Sequence, residues 1–214
     1  MTSIPERAKA IRASLAPNIR LVAVGKGHTA AEIEQAVSAG CFELGESKVQ
    51  EAEGKIPLLK AAHPNLIFHM VGRLQSNKVK EAVALFDVIQ SVDSVALAQK
   101  ISREASEQKK KIAVFIQFRI SGRETQSGYT SEAELAQSIG EIRKLEQIYA
   151  PYFKLEGLMG IASRERPRED FKRLKQLAKS FALPLLSMGM SEDYEIAVEE
   201  GSTMVRIGRA IFEG

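Results

Sequence analysis

The chain has 214 residues, 44% hydrophobic and 27% charged, with 30 basic against 27 acidic side chains and a formal net charge of +3. That length suits one domain with a large core, residues 1–214, although size alone also allows two. The charge balance speaks against nucleic-acid binding and no stretch approaches the ~18 apolar residues of a membrane helix, while the single cysteine, Cys41, excludes an internal disulfide or a cysteine-based metal cluster and fits a reducing cytoplasm.

The opening MTSIPERAKAIRASLAP is basic and rich in Ser and Ala, as transit peptides are. It carries Glu6, lacks a long apolar core and spaces Ile4, Ile11 and Leu15 on one helical face, so it reads as a structural first helix. Next comes LVAVGK, Leu21 to Lys26, too short for a membrane span and without helical period. It reads as a buried strand over 20–26 that ends on a lysine between Gly25 and Gly27. Further strands are predicted at 42–45, 66–72, 88–92, 112–120, 154–162, 184–190 and 203–208. Helices are predicted between them, at 30–39, 48–62, 77–85, 94–108, 131–148, 167–181 and 192–200. Thr29 with Glu32, Ser47 with Gln50 and Ser131 with Glu134 have the spacing of a capping box, in which two orphan backbone donors are satisfied reciprocally. Gly40 and Gly201 fall where helix ends need a left-handed residue. Lys109 to Lys111 read as a solvated helix end, Cys41 as inert packing, and LQSNK as a turn from strand into helix.

Eight strands alternating with seven helices imply parallel pairing, and eight such units close a barrel. The predicted fold is a single (β/α)8 TIM barrel, with the N-terminal helix in the place of the missing eighth. An open doubly wound sheet is the competing arrangement.

Chemistry in such a barrel belongs to the C-terminal rim of the strands. Val22, Val24 and Lys26 share one strand face, so an inward face would carry the Lys26 ammonium into the mouth. Desolvation favours a neutral amine, which can attack an aldehyde to give a Schiff base. Taken alone, a rim lysine pointing to water is the preferred reading. At LLSMGMSEDYE, Ser191 is placed to cap a helix from Glu192, and a helix N-terminus can receive phosphate. In GSTMVRIGRAIFEG, Arg206 is a charge inside an apolar strand that needs a partner or a ligand. Gly208 permits close backbone approach there, and Arg209 offers positive charge. A closed barrel makes strand one a neighbour of strands seven and eight, so an aldehyde-reactive lysine and phosphate donors converge. Pyridoxal 5′-phosphate carries both complementary groups. His69 alternates with Ile67 and Val71 and reads as a hydrogen-bonded structural histidine.

From about Arg20 to Gly214 the chain resembles the pyridoxal phosphate homeostasis proteins, relatives of the alanine racemase barrel. LVAVGK, ELGESKVQEAEGKI, FHMVGRLQSNKVK, LEGLMGIA and LSMGMSEDYEIAVEEGSTMVRIGRAIF carry the resemblance. It implies a cofactor held as a Schiff base on Lys26 and phosphate contacts at Ser191, Gly208 and Arg209. Arg206 falls near the pyridine ring, and Ser47 and Met190 count among the cofactor-binding positions. It also implies a role in intracellular vitamin B6 and amino-acid homeostasis, without established catalysis. The chain departs from the family pattern in five places. Gly25 replaces a Ser or Thr, His28 a second lysine, Ser47 an Asn, Gln126 a lysine and Arg209 a phosphate-side Ser or Thr.

Four functions are weighed: a pyridoxal phosphate carrier, a racemase-like enzyme on the same cofactor, a cofactor-free aldolase using His28 or His69 as proton shuttle, and a regulatory module that reports cofactor occupancy. The carrier is preferred, because nothing remains in the chain for a second domain bearing an opposite-face base. Pyridoxal-phosphate-dependent apo-enzymes are the expected recipients, and a monomer fits the missing second domain.

Overall fold

In the computed structural model, which describes residues 2–213, eight parallel strands close into a barrel in chain order. They are β1 Arg20–Val24, β2 Glu43–Glu46, β3 Ile67–Met70, β4 Val88–Val92, β5 Ile112–Gln117, β6 Phe153–Met159, β7 Leu185–Ser187 and β8 Met204–Ile207. β8 pairs with β1 in register Val22 to Arg206, which closes the ring and excludes the open sheet. The helices are α1 Ile4–Ser14, α2 Ala30–Ser38, α3 Val49–Glu53, α4 Ile56–Ala62, α5 Val79–Leu85, α6 Val95–Glu107, α7 Glu132–Ile148, α8 Pro167–Ser180, α9 Tyr194–Glu199 and α10 Arg209–Phe212.

Alternation along the strands sorts side chains into two cores, as a two-residue period requires. Val22, Val88, Phe115, Met159 and Met204 meet inside the barrel. Leu21, Ala23, Phe68, Ile89, Val205 and Ile207 face outward into the larger layer between sheet and helices. α1 packs against both α2 and α10, and Arg7 Nε donates to the Ile211 carbonyl at 2.8 Å. It fills the gap left by a full eighth helix, as the sequence predicts. No helix among the described residues is long and apolar enough to cross a membrane.

Local signals mostly act where they stand. Thr29 and Glu32 form both halves of a capping box at α2, and Ser131 accepts from the Glu134 amide at α7. Gly40 and Gly201 adopt φ of +96° and +98° at their helix ends. Ser76–Lys78 form a 3₁₀ turn into α5. Three expectations are corrected. The helix predicted over 48–62 is two helices, broken at Gly54 and Lys55, and Ser47 does not cap it, because α3 starts after Lys48 without a side-chain cap. Ser191 does not cap a helix at Glu192: α9 begins at Tyr194, and the Asp193 carboxylate instead accepts from the Met190 amide at 2.6 Å. The lysine run is not wholly solvated either. Lys110 Nζ donates to the Ala84 carbonyl at 2.8 Å, and burial lowers its pKa to about 8.

Candidate functional site

β1 ends at Val24, two residues before Lys26, so the lysine lies on a turn beyond the strand and not in it. Val22 and Val24 do face the interior, and the turn continues that line into the mouth. Gly27, at φ +79°, supplies the left-handed residue that reverses the chain there. The Lys26 ammonium is exposed, and among the described residues it has neither a hydrogen bond nor an ion pair. A cavity of about 370 Å³ at this rim is lined by Lys26, Ser47, Met190, Ser191, Arg206, Gly208 and Arg209 together with Val24, Val71 and Ile161. The topology thus gathers all seven residues singled out in the sequence. Val24 is the wall residue that shares the inward strand face read for Lys26; Val71 and Ile161 were missed as lining, and their only signal is a position just past a strand end.

The side of this cavity formed by the loops after β7 and β8 is rich in donors. Ser191 Oγ accepts from the Ala210 amide at 3.2 Å, which ties the two loops together. Among the described residues, the amides of Ser191, Glu192 and Gly208 donate to no carbonyl. Unpaired amides on adjacent turns make an anion-binding concavity. A side chain at Gly208 would come within 3.2 Å of the Val24 carbonyl, so glycine lets β8 run close to β1 here. Arg209 is not free: its Nη2 donates to Glu192 Oε1 at 2.7 Å, and an anion would have to compete for it.

Arg206 finds the partners its burial demands. Nη1 donates to Ser187 Oγ at 2.7 Å and Nη2 to the Gly160 carbonyl at 3.0 Å. Burial lowers its pKa to about 10, against the pull of Asp193, which leaves it charged at neutral pH. Ser187 in turn donates to Gln90 Oε1 at 2.6 Å, Gln90 Nε2 to His69 Nδ1 at 2.9 Å, and His69 Nε2 to Glu43 Oε2 at 3.1 Å. Arg20 closes the far end on Glu43 at 2.9 Å. Every donor in this chain points the same way, from the Arg206 cation through the barrel to the Glu43 carboxylate. The arrangement holds His69 as the neutral tautomer with its proton on Nε2. His69 is therefore a fully satisfied core residue, as its alternation suggests.

This buried histidine makes stability depend on pH. Burial pushes the His69 pKa below its ordinary value, and the Glu43 hydrogen bond only partly opposes that. Between about pH 6.5 and the lower folded value, the unfolded chain binds a proton that the folded one refuses, so stability is lost as pH falls through that window. Melting temperature is expected to decline on acidification below about pH 6.5, and His69→Gln should remove that part of the slope. A profile identical in the variant would contradict it.

Two departures from the family pattern have local causes. A Cβ on Gly25 would meet Ile33 Cδ1 at 2.6 Å, so Ile33 fills the space that a Ser or Thr side chain would need. His28 stacks on Phe212 with ring centroids 4.8 Å apart, and its Nδ1 lies 3.3 Å from Glu32. Gln126 lines a separate cavity of about 500 Å³ with Arg73, Asp93, Gln117 and Arg119, which shares only Val71 and Ile161 with the first. The larger cavity is thus not the one that holds Lys26. Burial pushes the Cys41 thiol up to about 11, in keeping with inert packing. Gly72 of the VGRLQSNK stretch admits no side chain, because its Cβ would lie 2.2 Å from the Ser47 carbonyl.

Fold and mouth together define a barrel of the alanine racemase N-terminal-domain type, and residues 1–214 match that family. The alanine racemase of Clostridium difficile shares this fold at 19% identity, with a TM-score of 0.77 over 98% of this chain and 58% of its own. Closer likenesses are to shorter proteins. PipY of Synechococcus elongatus is 35% identical over 98% of this chain and 100% of its own, with a TM-score of 0.91 without pyridoxal phosphate and 0.88 with it bound. The pyridoxal phosphate homeostasis protein of Synechocystis is 39% identical over 213 residues, 94% of each chain, and that of Escherichia coli K12 is 34% identical over 218 residues, 96% of this chain and 90% of its own. The chain belongs to the pyridoxal phosphate homeostasis protein family.

Proposed function

We propose that this protein binds pyridoxal 5′-phosphate in the mouth around Lys26 and serves as an intracellular carrier in its homeostasis, and is not an amino-acid enzyme. The observation that carries this reading is the pairing of an unpartnered lysine with a concavity of free amides in one cavity of about 370 Å³. That donor set fits a ligand with an aldehyde at one end and a phosphate at the other. Lys26 Nζ would hold the aldehyde carbon covalently. The Ser191 hydroxyl, the Ser191 and Gly208 amides and Arg209 would hold the phosphate. Met190 and Ser47 would flank the ligand, and Arg206 would face the pyridine nitrogen. When bound, the cofactor supplies an electron-withdrawing ring conjugated to the lysine nitrogen. A guanidinium has donors only and cannot accept from a protonated ring nitrogen, so that nitrogen would stay unprotonated and the ring a weak electron sink.

The lining also speaks against racemisation, which needs an acid and a base on opposite faces of one carbon. Apart from Lys26, the residues around the cavity are apolar, hydroxyl-bearing or guanidinium groups, with no carboxylate, histidine or tyrosine. The cofactor-free aldolase lacks support as well. His69 is locked in the barrel core and His28 lies against Phe212, and neither lines the Lys26 cavity. The same reading takes residues 1–214 as one cytoplasmic, monomeric domain that hands its cofactor to pyridoxal-phosphate-dependent apo-enzymes.

The deciding experiment loads the protein and follows two outcomes. Transfer of cofactor to an apo-enzyme is expected. Exchange of α-hydrogen from amino acids in deuterated water should stay near that of free pyridoxal phosphate. Exchange far above that control, lost in Lys26→Ala, would establish an enzyme and overturn the carrier.

The phosphate contacts are testable separately. Charge-assisted hydrogen bonds contribute about 1.5–3 kcal/mol, so Arg209→Ala and Ser191→Ala should weaken pyridoxal phosphate binding roughly tenfold or more, with little effect on pyridoxal. Equal losses for both ligands would place the phosphate elsewhere.

A further inference from the structure

The break in the helix predicted over 48–62 puts Lys55 at the head of α4, with its side chain turned inward and only 13% exposed. Its Nζ donates to Glu46 Oε1 at 2.7 Å and to the Gly25 carbonyl at 3.1 Å. Glu46, the last residue of β2, is 2% exposed, and its second carboxylate oxygen has no partner among the described residues. Gly25 is the residue before Lys26. On the other side of the lysine, the Gly27 amide donates to Glu51 Oε2 at 3.2 Å, and Glu51 is itself paired with Lys48 at 3.2 Å. The peptide on each side of Lys26 is thus gripped by a side chain from the segment 46–55, while the Lys26 ammonium between them has no partner among the described residues.

A buried ion pair is weak evidence for stability, since desolvating both charges consumes most of their attraction. Here the ammonium also spans to a backbone carbonyl, on a turn whose other internal bonds are few. Gly25 N donates to the Gly45 carbonyl at 2.9 Å and His28 N to the Gly25 carbonyl at 3.1 Å. A two-residue turn ending in glycine has wide conformational freedom unless its peptides are fixed.

We propose that Lys55, oriented by Glu46, and Glu51 are positioning residues that clamp the 25–27 turn and thereby aim Lys26 Nζ into the cavity. The inference rests on Lys26 being the point of attachment. Attachment joins Nζ to the aldehyde carbon, and the two amine protons leave with the aldehyde oxygen as water. That bond forms only when the amine meets the carbon at the right angle, and a displacement of about 1 Å can slow such a step about a hundredfold. Noncovalent capture of the phosphate does not depend on that aim.

The test uses the double variant Glu46→Gln/Lys55→Met, which leaves no buried charge unpaired, and the single variant Glu51→Ala at a half-buried site. Each is made in the wild-type chain and in Lys26→Ala. The probe is pyridoxal 5′-phosphate. Attachment is followed by the growth of the visible band and by borohydride trapping with peptide mass mapping, and circular dichroism verifies folding. Attachment at Lys26 is expected to slow at least tenfold in the double variant and threefold in Glu51→Ala. Noncovalent affinity in the Lys26→Ala background should change less than twofold. Rates within twofold of wild type would overturn the clamp. So would equal losses of affinity in both backgrounds, which would mark a general effect on the pocket. If the double variant fails to fold, Glu51→Ala decides alone. Failure of the wild-type chain to trap label on Lys26 would defeat the attachment reading itself, and the clamp with it.

Discussion

Lys26→Ala is expected to abolish covalent retention of pyridoxal 5′-phosphate altogether. Lys26 is the one lysine lining the cavity that also holds Arg206 and the loops after β7 and β8. Other lysines near the mouth are engaged: Lys55 with Glu46 and Lys48 with Glu51. Borohydride reduction of the loaded wild-type protein should therefore place the pyridoxyl mass on the Lys26 peptide, and the variant should be colourless after gel filtration. Residual affinity should come from the phosphate side alone. A loss of at least about hundredfold, some 2.8 kcal/mol, is expected. A variant that stays yellow, with label on another lysine, would remove the basis for the assignment.

Lys55→Met alone should be severely destabilising, by about 3–5 kcal/mol, because it strands the Glu46 carboxylate in a buried site. Adding Glu46→Gln should recover most of that loss, since the pair is then removed whole. The two mutations are in contact, so strong non-additivity is the signature. The pH dependence has a definite sign. Burial already raises the Glu46 carboxyl above its ordinary value, with Lys55 opposing. Without Lys55 the opposition ends and the folded-state pKa rises further. A raised carboxyl favours folding at low pH and loses that advantage as pH rises, so Lys55→Met should be least impaired near pH 4–5 and worst above neutrality. Chemical denaturation across that range measures it, and a penalty that is flat with pH would show that Glu46 is not the group left stranded.

Much of the cavity was legible because its chemistry is written in residue types that are expensive where they stand. A lysine after a buried run and an arginine inside VRI both demand a reason in the sequence itself, and both line the cavity. Ser191 and Gly208 were readable as residues that permit backbone donors. The role given to Ser191 was wrong in detail: it bonds the Ala210 amide across the mouth and leaves α9 uncapped by its side chain. Capping patterns are local, and a hydroxyl within reach of two helix starts goes to the one that tertiary packing brings closer. The helix break at Gly54–Lys55 did carry a signal in the sequence: Gly54 and Pro57 are the poorest helix formers in 48–62, and Pro57 fits only the first turn of a helix, where α4 begins. What the sequence did not show is that Lys55 turns inward there, which depends on its partners Glu46 and Gly25.

By itself the sequence determined parallel strands joined by crossover helices, since strand and helix periods alternate along the whole chain, and it favoured a barrel; the β8–β1 pairing decided closure against the open sheet. It pointed to the C-terminal rim, because the costly residues lie at or just past the C-terminal ends of strands. Tertiary structure alone decided which charges are free. Arg206 is satisfied through Ser187 and Gly160, Arg209 is held by Glu192, and Lys55 is bound to Glu46, while Lys26 has no partner among the described residues. These pairings join residues up to 46 positions apart. Sequence periodicity reports which way a side chain faces, but a hydrogen bond depends on distances of a few tenths of an ångström that only the closed barrel sets.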